Sequence, residues 1–314
     1  MLRRSGHARA GAAGSRLGRL PGRGGLSAGP TLTAKGARRR SLSGMAFVAI
    51  RQLPLVLMAL SILFPLYFMV ANSLKSDRSF AASALAAPTR PTFSKYIEAF
   101  RSADVGRFLV NSLIISVFAV VIATLVAGLA AFALAKMQFR GRDLIFRTML
   151  PAMAIPSVVL LVPQFRLMSQ LGLIDTRWSV IILYVGIMVP FSLYLFRSFF
   201  LGFPDELLDA AAIDGAGSFG AFVRIVLPAS RPAIVTAAII NFVFAWNELL
   251  LALVFLQNQQ QRTLMVGLTV FSSLYSLDVP ELMAGMTIAT VPVVVVYLFG
   301  QRYLMRGLLS GIGK

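Results

Sequence analysis

The sequence has no cysteine and a single histidine, His7. Disulfide frameworks and thiolate metal sites are therefore excluded, and catalysis by cysteine or histidine is nearly excluded. No set of nucleophile, base and orienting residue is recognisable, because the serines near the hydrophobic segments have no histidine beside them. The phosphate-binding pattern G-x-x-x-x-G-K-[ST] is also missing. We therefore predict that the chain is not an enzyme and has no catalytic residues, no metal site and no cofactor of its own.

Charged residues are scarce, at 13% of 314 residues, whereas 57% are hydrophobic and the mean hydropathy is +0.78. A soluble core cannot absorb this much apolar surface, so the composition indicates a membrane protein. No acidic residue precedes Asp77, and eleven of the 30 lysines and arginines lie in residues 1–51. The net charge of +18 is therefore largely that of an N-terminal tail.

That tail, residues 1–44, is rich in arginine, glycine, alanine and serine without apolar periodicity, which predicts disorder. We interpret it as a cytoplasmic tail whose charge holds the N-terminus inside and contacts anionic membrane lipid. A start assigned too early, with translation beginning at Met45, is one alternative. A transit peptide is another, although glycines spoil its amphipathic helix. Nucleic-acid binding is disfavoured because no aromatic residues are interleaved with the arginines, so we expect no nucleic-acid partner.

Six segments reach the length of about 18–25 apolar residues that crosses a bilayer. They are Leu53–Leu74, Phe108–Ala135, Thr148–Phe165, Trp178–Phe196, Ala233–Leu256 and Leu282–Gln301. The third contains Pro151, Pro156 and Pro163, which predicts irregular backbone covered by protein or facing water. The apolar segment Thr263–Leu277 is too short to cross and is interpreted as re-entrant or interfacial. The predicted fold class is an all-α polytopic membrane protein in which residues 45–314 form a six-helix transmembrane domain.

The charges of the loops predict the orientation of the chain in the membrane. With the N-terminus inside, 21 of the 30 lysines and arginines lie on the cytoplasmic side, as the positive-inside rule requires. Without residues 1–44, eleven lysines and arginines lie on the cytoplasmic side and nine lie outside. We predict a multi-pass protein with both termini in the cytoplasm.

One long polar stretch, Pro204–Pro232, separates the fourth and fifth segments. Pro204 followed by Asp205 and Glu206 predicts a helix start, because carboxylates are favoured at the positive end of the helix dipole. Gly215 is expected to break this helix, and a second helical segment follows it. Alanine and glycine on its surface let another backbone approach closely. We interpret the stretch as a helix–turn–helix docking element.

The docking element resembles the cytoplasmic EAA loop of ABC importer permeases, E-A-A-x3-G-x9-I-x-L-P. The residues concerned are Asp209, Ala210, Ala211, Asp214, Gly215, Ile225, Leu227 and Pro228, with aspartate in place of the first glutamate. The resemblance implies a coupling helix that sits in a cleft of an ATP-hydrolysing subunit. The G-x-G-x-x-G pattern at Gly215–Gly220 is a weaker signal, because a helical run rather than a strand precedes it. An ordinary interfacial connector is the remaining alternative.

Four further segments look like the second permease subunit of carbohydrate ABC importers of the maltose-transporter type. They are Phe64–Ser76, Ala130–Asp143, Trp246–Glu248 and Gln301–Lys314. The resemblance covers residues 48–314 and implies the ABC type I importer permease fold, in a prokaryotic inner membrane.

This resemblance also implies a function and a set of partners. The chain is expected to form half of a translocation path for a sugar or oligosaccharide. The implied partners are a second homologous permease subunit, two ATP-binding cassette ATPase subunits that hold ATP and magnesium, and an extracytoplasmic sugar-binding protein. The alternatives are a related non-sugar solute such as glycerol phosphate, and a secondary transporter, which needs more intramembrane carboxylates than this chain offers.

Glu248 is the one Asp, Glu, Lys or Arg residue inside a predicted span. At ~1.5 Å per residue it lies ~24 Å from the cytoplasmic end of that span. A charge at this depth is a functional candidate, and with Trp246 and Asn247 it is predicted to line the substrate path, since sugars offer hydroxyls to carboxylates and flat C–H faces to indole. The alternative is that Glu248 caps the outer half of the helix or pairs within the bundle.

Overall fold

The computed structural model describes residues 42–102, 104–274 and 278–312. The α-helices are α1 (Leu42–Ser73), α2 (Asp77–Ala82), α3 (Ser94–Ser102), α4 (Val105–Lys136), α5 (Arg142–Ala152), α6 (Leu161–Gln170), α7 (Arg177–Leu201), α8 (Glu206–Ile213), α9 (Ser218–Ala221), α10 (Leu227–Ala229), α11 (Arg231–Asn247), α12 (Leu250–Phe255), α13 (Leu264–Leu274) and α14 (Val279–Ile312). 3-10 helices at Ser157–Leu160 and Gln259–Gln261 and a π-helix at Phe222–Val226 connect some of them. Within these described residues there is no strand, which confirms the all-α class.

By internal contacts the chain divides into residues 1–56 and residues 57–314. The described part of the first unit is residues 42–56, the first half of α1. The second unit contains the end of α1 and all later helices. Of the predicted disordered tail, residues 1–44, residues 1–41 lie outside the described residues, whereas residues 42–44 already belong to α1, so the prediction of disorder was wrong for these three.

In the part of the chain that the structure describes, four helices are long and apolar enough to cross a membrane. They are Arg51–Ser73, Val105–Lys136, Arg177–Leu201 and Val279–Tyr303, with mean hydropathies between 2.1 and 2.8. They confirm the first, second, fourth and sixth predicted spans, with ends that differ by a few residues. Two bent pairs of helices raise the number to six if each pair counts as one span.

The third predicted span, Thr148–Phe165, is a bent pair and not one straight helix. Its two pieces, Arg142–Ala152 and Ser157–Gln170, meet at an angle of 99°. Pro156 stands at the bend with φ −61° and ψ 131°, a conformation that the proline ring favours and that neither an α-helix nor a 3-10 helix contains. The prediction of irregular backbone is confirmed here.

The fifth predicted span, Ala233–Leu256, is also interrupted, which the sequence did not predict. Helix α11 ends at Asn247, Glu248 is extended with φ −70° and ψ 122°, and α12 begins at Leu250. At the other end of α11, the stretch Ser218–Ala229 meets it at an angle of 76°. Glu248 therefore lies in a break between two helices and not inside a continuous one.

The centre of the second unit is the pair formed by α4 and α7, the most extensive contact between helices. Small side chains on α4 recur every four residues on the buried face: Ala119, Ala123, Ala127 and Ala131, all fully buried. Small residues let two helix backbones approach closely, which is how helices associate where lipid removes the usual hydrophobic driving force. One apolar cluster surrounds the middle of this pair, and a second lies where the pair meets the docking element.

The short segment Thr263–Leu277 contains α13 and is not among the candidate spans. Its first residues pack on α4, where the Leu264 amide donates to Ser112 Oγ at 2.8 Å. Residues 275–277 lie outside the described part of the chain. As predicted, the segment is too short to cross, and its described helix is packed against protein.

Gly267 sets how closely α13 approaches α4. A Cβ atom there would lie 2.1 Å from Phe108 Cδ2, so Gly267→Ala is expected to lower stability by about 1–3 kcal/mol through overpacking. Gly186→Ala in α7 is the matched control, because a Cβ there meets nothing within 4 Å. Thermal unfolding of the purified variants in one detergent measures the difference. Equal unfolding midpoints for the two variants would contradict the close approach.

Candidate functional site

The docking element begins with α8, whose first turn carries Glu206 and Asp209. Its start is attached to the end of α4 by Lys136. The Lys136 ammonium donates to the Phe203 carbonyl at 2.6 Å and to Asp205 Oδ1 at 2.5 Å. The Lys136 side chain is 7% exposed and that of Asp205 77%. The buried ammonium at the end of α4 thus attaches the start of the docking element to that span.

Replacing Lys136 with methionine is expected to loosen this entry. The change removes a charged hydrogen bond to a backbone carbonyl as well as an ion pair, and such a hydrogen bond contributes about 1.5–3 kcal/mol. Asp205→Asn removes mainly the exposed ion pair, which contributes little. Trypsin cleavage at Arg224 and Arg231 in inside-out vesicles is therefore expected to accelerate more in Lys136→Met than in Asp205→Asn. Equal rates in both variants and the parent chain would count against the attachment.

Helix α8 ends in a hydrogen-bonded turn that requires glycine. Gly215 has φ +81°, its amide donates to the Ala212 carbonyl at 3.0 Å, and the Ala216 amide donates to the Ala211 carbonyl at 2.9 Å. This pair of bonds is a Schellman motif, in which the left-handed position favours glycine. A Cβ atom on Gly215 would meet nothing within 4 Å. The glycine is therefore needed for backbone conformation and not for space.

The surface of α8 and its turn carries exposed apolar side chains. Ile213 is 87% exposed and Phe219 is 69% exposed. Of the motif residues, Asp209, Ala210, Asp214 and Gly215 are also exposed, whereas Ala211 is buried. Exposed apolar side chains grouped on one element, flanked by carboxylates, indicate a protein-binding surface.

The second half of the element is fixed to the spans by Phe222. Its ring lies 5.0 Å from that of Phe132 in α4 and 6.4 Å from that of Phe200 in α7. Ile225 and Leu227 are partly buried, Leu227 against the apolar cluster that contains Phe222, and Pro228 is exposed. The motif thus divides into an exposed first half and a second half that is attached to the bundle. Phe222 was missed by the sequence analysis, because only its partners on other helices distinguish it from any phenylalanine.

The three residues proposed for the solute path do not form one surface. Trp246 is buried, stacks on Phe242 with ring centroids 5.5 Å apart, and donates from Nε1 to the Ala289 carbonyl at 2.9 Å. Asn247 is exposed and donates to the carbonyl of Val243. Trp246 therefore joins α11 to α14 inside the bundle.

Glu248 caps the helix after the break. Its Oε1 accepts from the Leu251 amide at 2.9 Å and its Oε2 from the Ala252 amide at 3.2 Å. The Tyr184 hydroxyl in α7 donates to Oε2 at 2.7 Å. A carboxylate at a helix start satisfies backbone donors and the helix dipole together. This geometry matches the capping alternative, and Tyr184 is a partner that the sequence did not reveal.

Asn247 lines a cavity. The cavity has a volume of about 360 Å³. Its other lining residues are mostly apolar. They include the three methionines Met69, Met265 and Met286, together with Leu268 and Thr290. Methionine adapts its shape to irregular ligands and helices. The cavity lies beside α14, between the ends of the spans that hold Met69 and Asn247.

These features define a polytopic membrane protein, with spans interrupted at two places and a structured helical loop that exposes apolar side chains. The fold agrees with a crystal structure of a bacterial ABC transporter involved in the import of the acidic polysaccharide alginate. One chain of that transporter matches with a TM-score of 0.74 at 24% identity, over 84% of this chain and 98% of that one. The fold is therefore that of an ABC importer permease.

The chain belongs to the family described as binding-protein-dependent transport system inner membrane component, whose model matches residues 123–309. The diacetylchitobiose uptake system permease protein NgcG of Streptomyces coelicolor is 32% identical over 277 residues, 88% of this chain and 92% of that protein. The trehalose transport system permease protein SugB of Mycobacterium tuberculosis is 34% identical over 254 residues, 80% of this chain and 92% of that protein. The chain is thus a multi-pass membrane permease subunit of an ABC importer.

Proposed function

We propose that this chain forms half of the translocation path of a sugar or oligosaccharide importer and is driven through the loop 204–232. The observation that carries the coupling role is the exposed helical turn with Ile213 at 87% exposure, attached to the bundle at both ends. Attachment at Lys136 and Phe222 means that a push on the turn moves α4 and α7 with it. Rigid movement of packed helices between two states is a common switching mechanism.

The partners follow from what this chain lacks. It has no phosphate-binding loop of its own, so ATP and magnesium are bound by separate ATPase subunits. Two such subunits, a second homologous permease and an extracytoplasmic binding protein complete the importer. The description of the family as binding-protein-dependent supports the last of these. In this arrangement both termini and the loop 204–232 face the cytoplasm of a prokaryotic cell.

A sugar or oligosaccharide is the solute class that the relatives support. NgcG and SugB are named for diacetylchitobiose and trehalose, two unlike sugars, at almost equal identity to this chain. Overall similarity therefore supports the class and not one sugar. Asn247 is the solute-path candidate that the 360 Å³ cavity supports, because its side chain lines that cavity.

The test is affinity purification of the tagged chain from native membranes in mild detergent. Recovery of a second permease subunit and an ATPase with a phosphate-binding loop is expected. Recovery of the chain alone, with solute transport intact after reconstitution in liposomes, would contradict an ATP-driven half-permease.

A further inference from the structure

A cluster of carboxylates gathers at the start of α14, far from the docking element. One carboxylate oxygen from each of Glu98, Asp278 and Glu281 lies within 4.8 Å of the others. Glu281 and Tyr303 are 22 residues apart on α14, or about 33 Å at 1.5 Å per residue. Since Tyr303 contacts α11 near the docking element, the cluster lies at the opposite end of the bundle.

The buried ammonium of Lys95 already forms ion pairs with part of this cluster. The Lys95 ammonium contacts Asp77 at 3.0 Å, Glu98 at 3.0 Å and Asp278 at 2.5 Å. An ammonium has three protons to donate, and these three carboxylates use them. Lys95 therefore has no proton left for Glu281.

Glu281 is the unsatisfied member of the cluster. The residue is only 8% exposed, and its Oε1 is buried without a hydrogen-bond partner. Burying a charged carboxylate without a partner is costly, so such a group either takes up a proton or binds a cation or a donor. Four carboxylates around one ammonium also leave the cluster with an excess of negative charge.

We propose that Glu98, Asp278 and Glu281 bind a hard divalent cation of the calcium class. Calcium binds oxygen ligands at about 2.3–2.6 Å, so two oxygens on opposite sides of one ion are about 4.6–5.2 Å apart. Oxygens within 4.8 Å of one another can share such an ion with small side-chain movements. The ligands are all carboxylate oxygens, which favours calcium over softer transition metals, and magnesium requires shorter bonds of about 2.0–2.1 Å.

The burial of Glu281 argues against a basic side chain from another protein as the occupant. A guanidinium or ammonium on a partner cannot approach a residue that is 8% exposed, whereas an ion can enter past Glu98, whose side chain is 46% exposed. Bound calcium connects α3 to the first turn of α14. The ion therefore fixes the segment between the first two spans to the start of the last span.

Calcium binding by the purified full-length chain tests the proposal, in nanodiscs of uncharged lipid after removal of metal with EDTA. Saturable binding in calorimetry is expected, with a Kd on the order of 10⁻⁴–10⁻³ M, the range of exposed extracellular sites. Magnesium is expected to bind more weakly, and calcium is expected to raise the thermal unfolding midpoint.

The variants Glu281→Gln and Glu98→Gln are each expected to weaken calcium binding at least about tenfold, because each removes one charged ligand. Glu98 is partly exposed, so its variant serves if Glu281→Gln does not fold. Asp143→Asn, at a carboxylate 62% exposed near the docking element, is the matched control and is expected to bind normally. No saturable binding by the parent chain up to about 5 mM would overturn the proposal. Unchanged binding in both glutamine variants would show adsorption elsewhere and overturn it as well.

Discussion

Replacing Gly215 with leucine is expected to abolish ATP-driven import while leaving the chain folded in the membrane. Gly215 has φ +81°, a region that costs other residues about 1–2 kcal/mol and bulky ones more. Leucine avoids this strain by opening the turn, which breaks the two amide bonds that end α8. The angle between α8 and α9 then changes, and the exposed side chains of the turn no longer fit one surface. Transport and recovery of the ATPase with the chain are both expected to be lost.

Two control variants separate backbone conformation from bulk. Gly215→Asn is expected to retain much of the transport, because asparagine adopts the left-handed region more readily than leucine does. Gly217→Ala is expected to behave as the parent chain, since Gly217 has φ −66° and a Cβ there meets nothing within 4 Å. Equal loss in leucine and asparagine variants, or undiminished transport with leucine, would show that the turn geometry is not what matters.

Replacing Glu248 with alanine is expected to destabilise the protein strongly. The change leaves the Tyr184 hydroxyl and the amides of Leu251 and Ala252 without their acceptor, in a region where all three residues are fully buried. Each unsatisfied buried group costs about 1–3 kcal/mol, so the loss in unfolding free energy is expected to be at least about 3 kcal/mol. Thermal unfolding in detergent and the yield of folded chain measure it.

The comparison of Glu248→Gln with Glu248→Ala separates capping from solute contact. Glutamine keeps one acceptor oxygen, which can still accept from the Ala252 amide and the Tyr184 hydroxyl, and loses only the acceptor of the Leu251 amide, so its loss of stability is expected to be smaller than that of alanine. Tyr184→Phe combined with Glu248→Gln is expected to be less destabilised than the sum of the single changes, because the two residues share one hydrogen bond. A Glu248→Gln protein of full stability with lost transport would favour direct contact with the solute.

The sequence predicted the elements that depend on local pattern. Uninterrupted apolar runs and charged flanks locate the four straight spans, and Pro156 indicates the irregular third one. The turn at Gly215 was also predicted from a local feature. Glycine adopts the left-handed conformation that ends a helix, and the turn involves only neighbouring residues.

What the sequence could not predict depends on residues that are far apart in the chain. The run Ala233–Leu256 carries no charged residue apart from Glu248, and the break follows from a cap that Tyr184 on another helix completes. Lys136 reaches Asp205, 69 residues later, and Lys95 reaches Asp278, 183 residues later. Charge patterns within a short window of sequence reveal neither contact, because each joins two elements that meet only in the folded chain.

Site-specific crosslinking from the tip of the docking element tests the central claim most directly. The chain has no cysteine, so Ile213→Cys introduces a single thiol at a side chain that is 87% exposed. In native membranes this thiol is expected to crosslink to the ATPase subunit, and nucleotide is expected to change the yield. Phe93→Cys, at a side chain 67% exposed near α3, is the matched control and is expected to give no ATPase adduct. An ATPase adduct from Phe93→Cys and none from Ile213→Cys would contradict coupling through the loop 204–232.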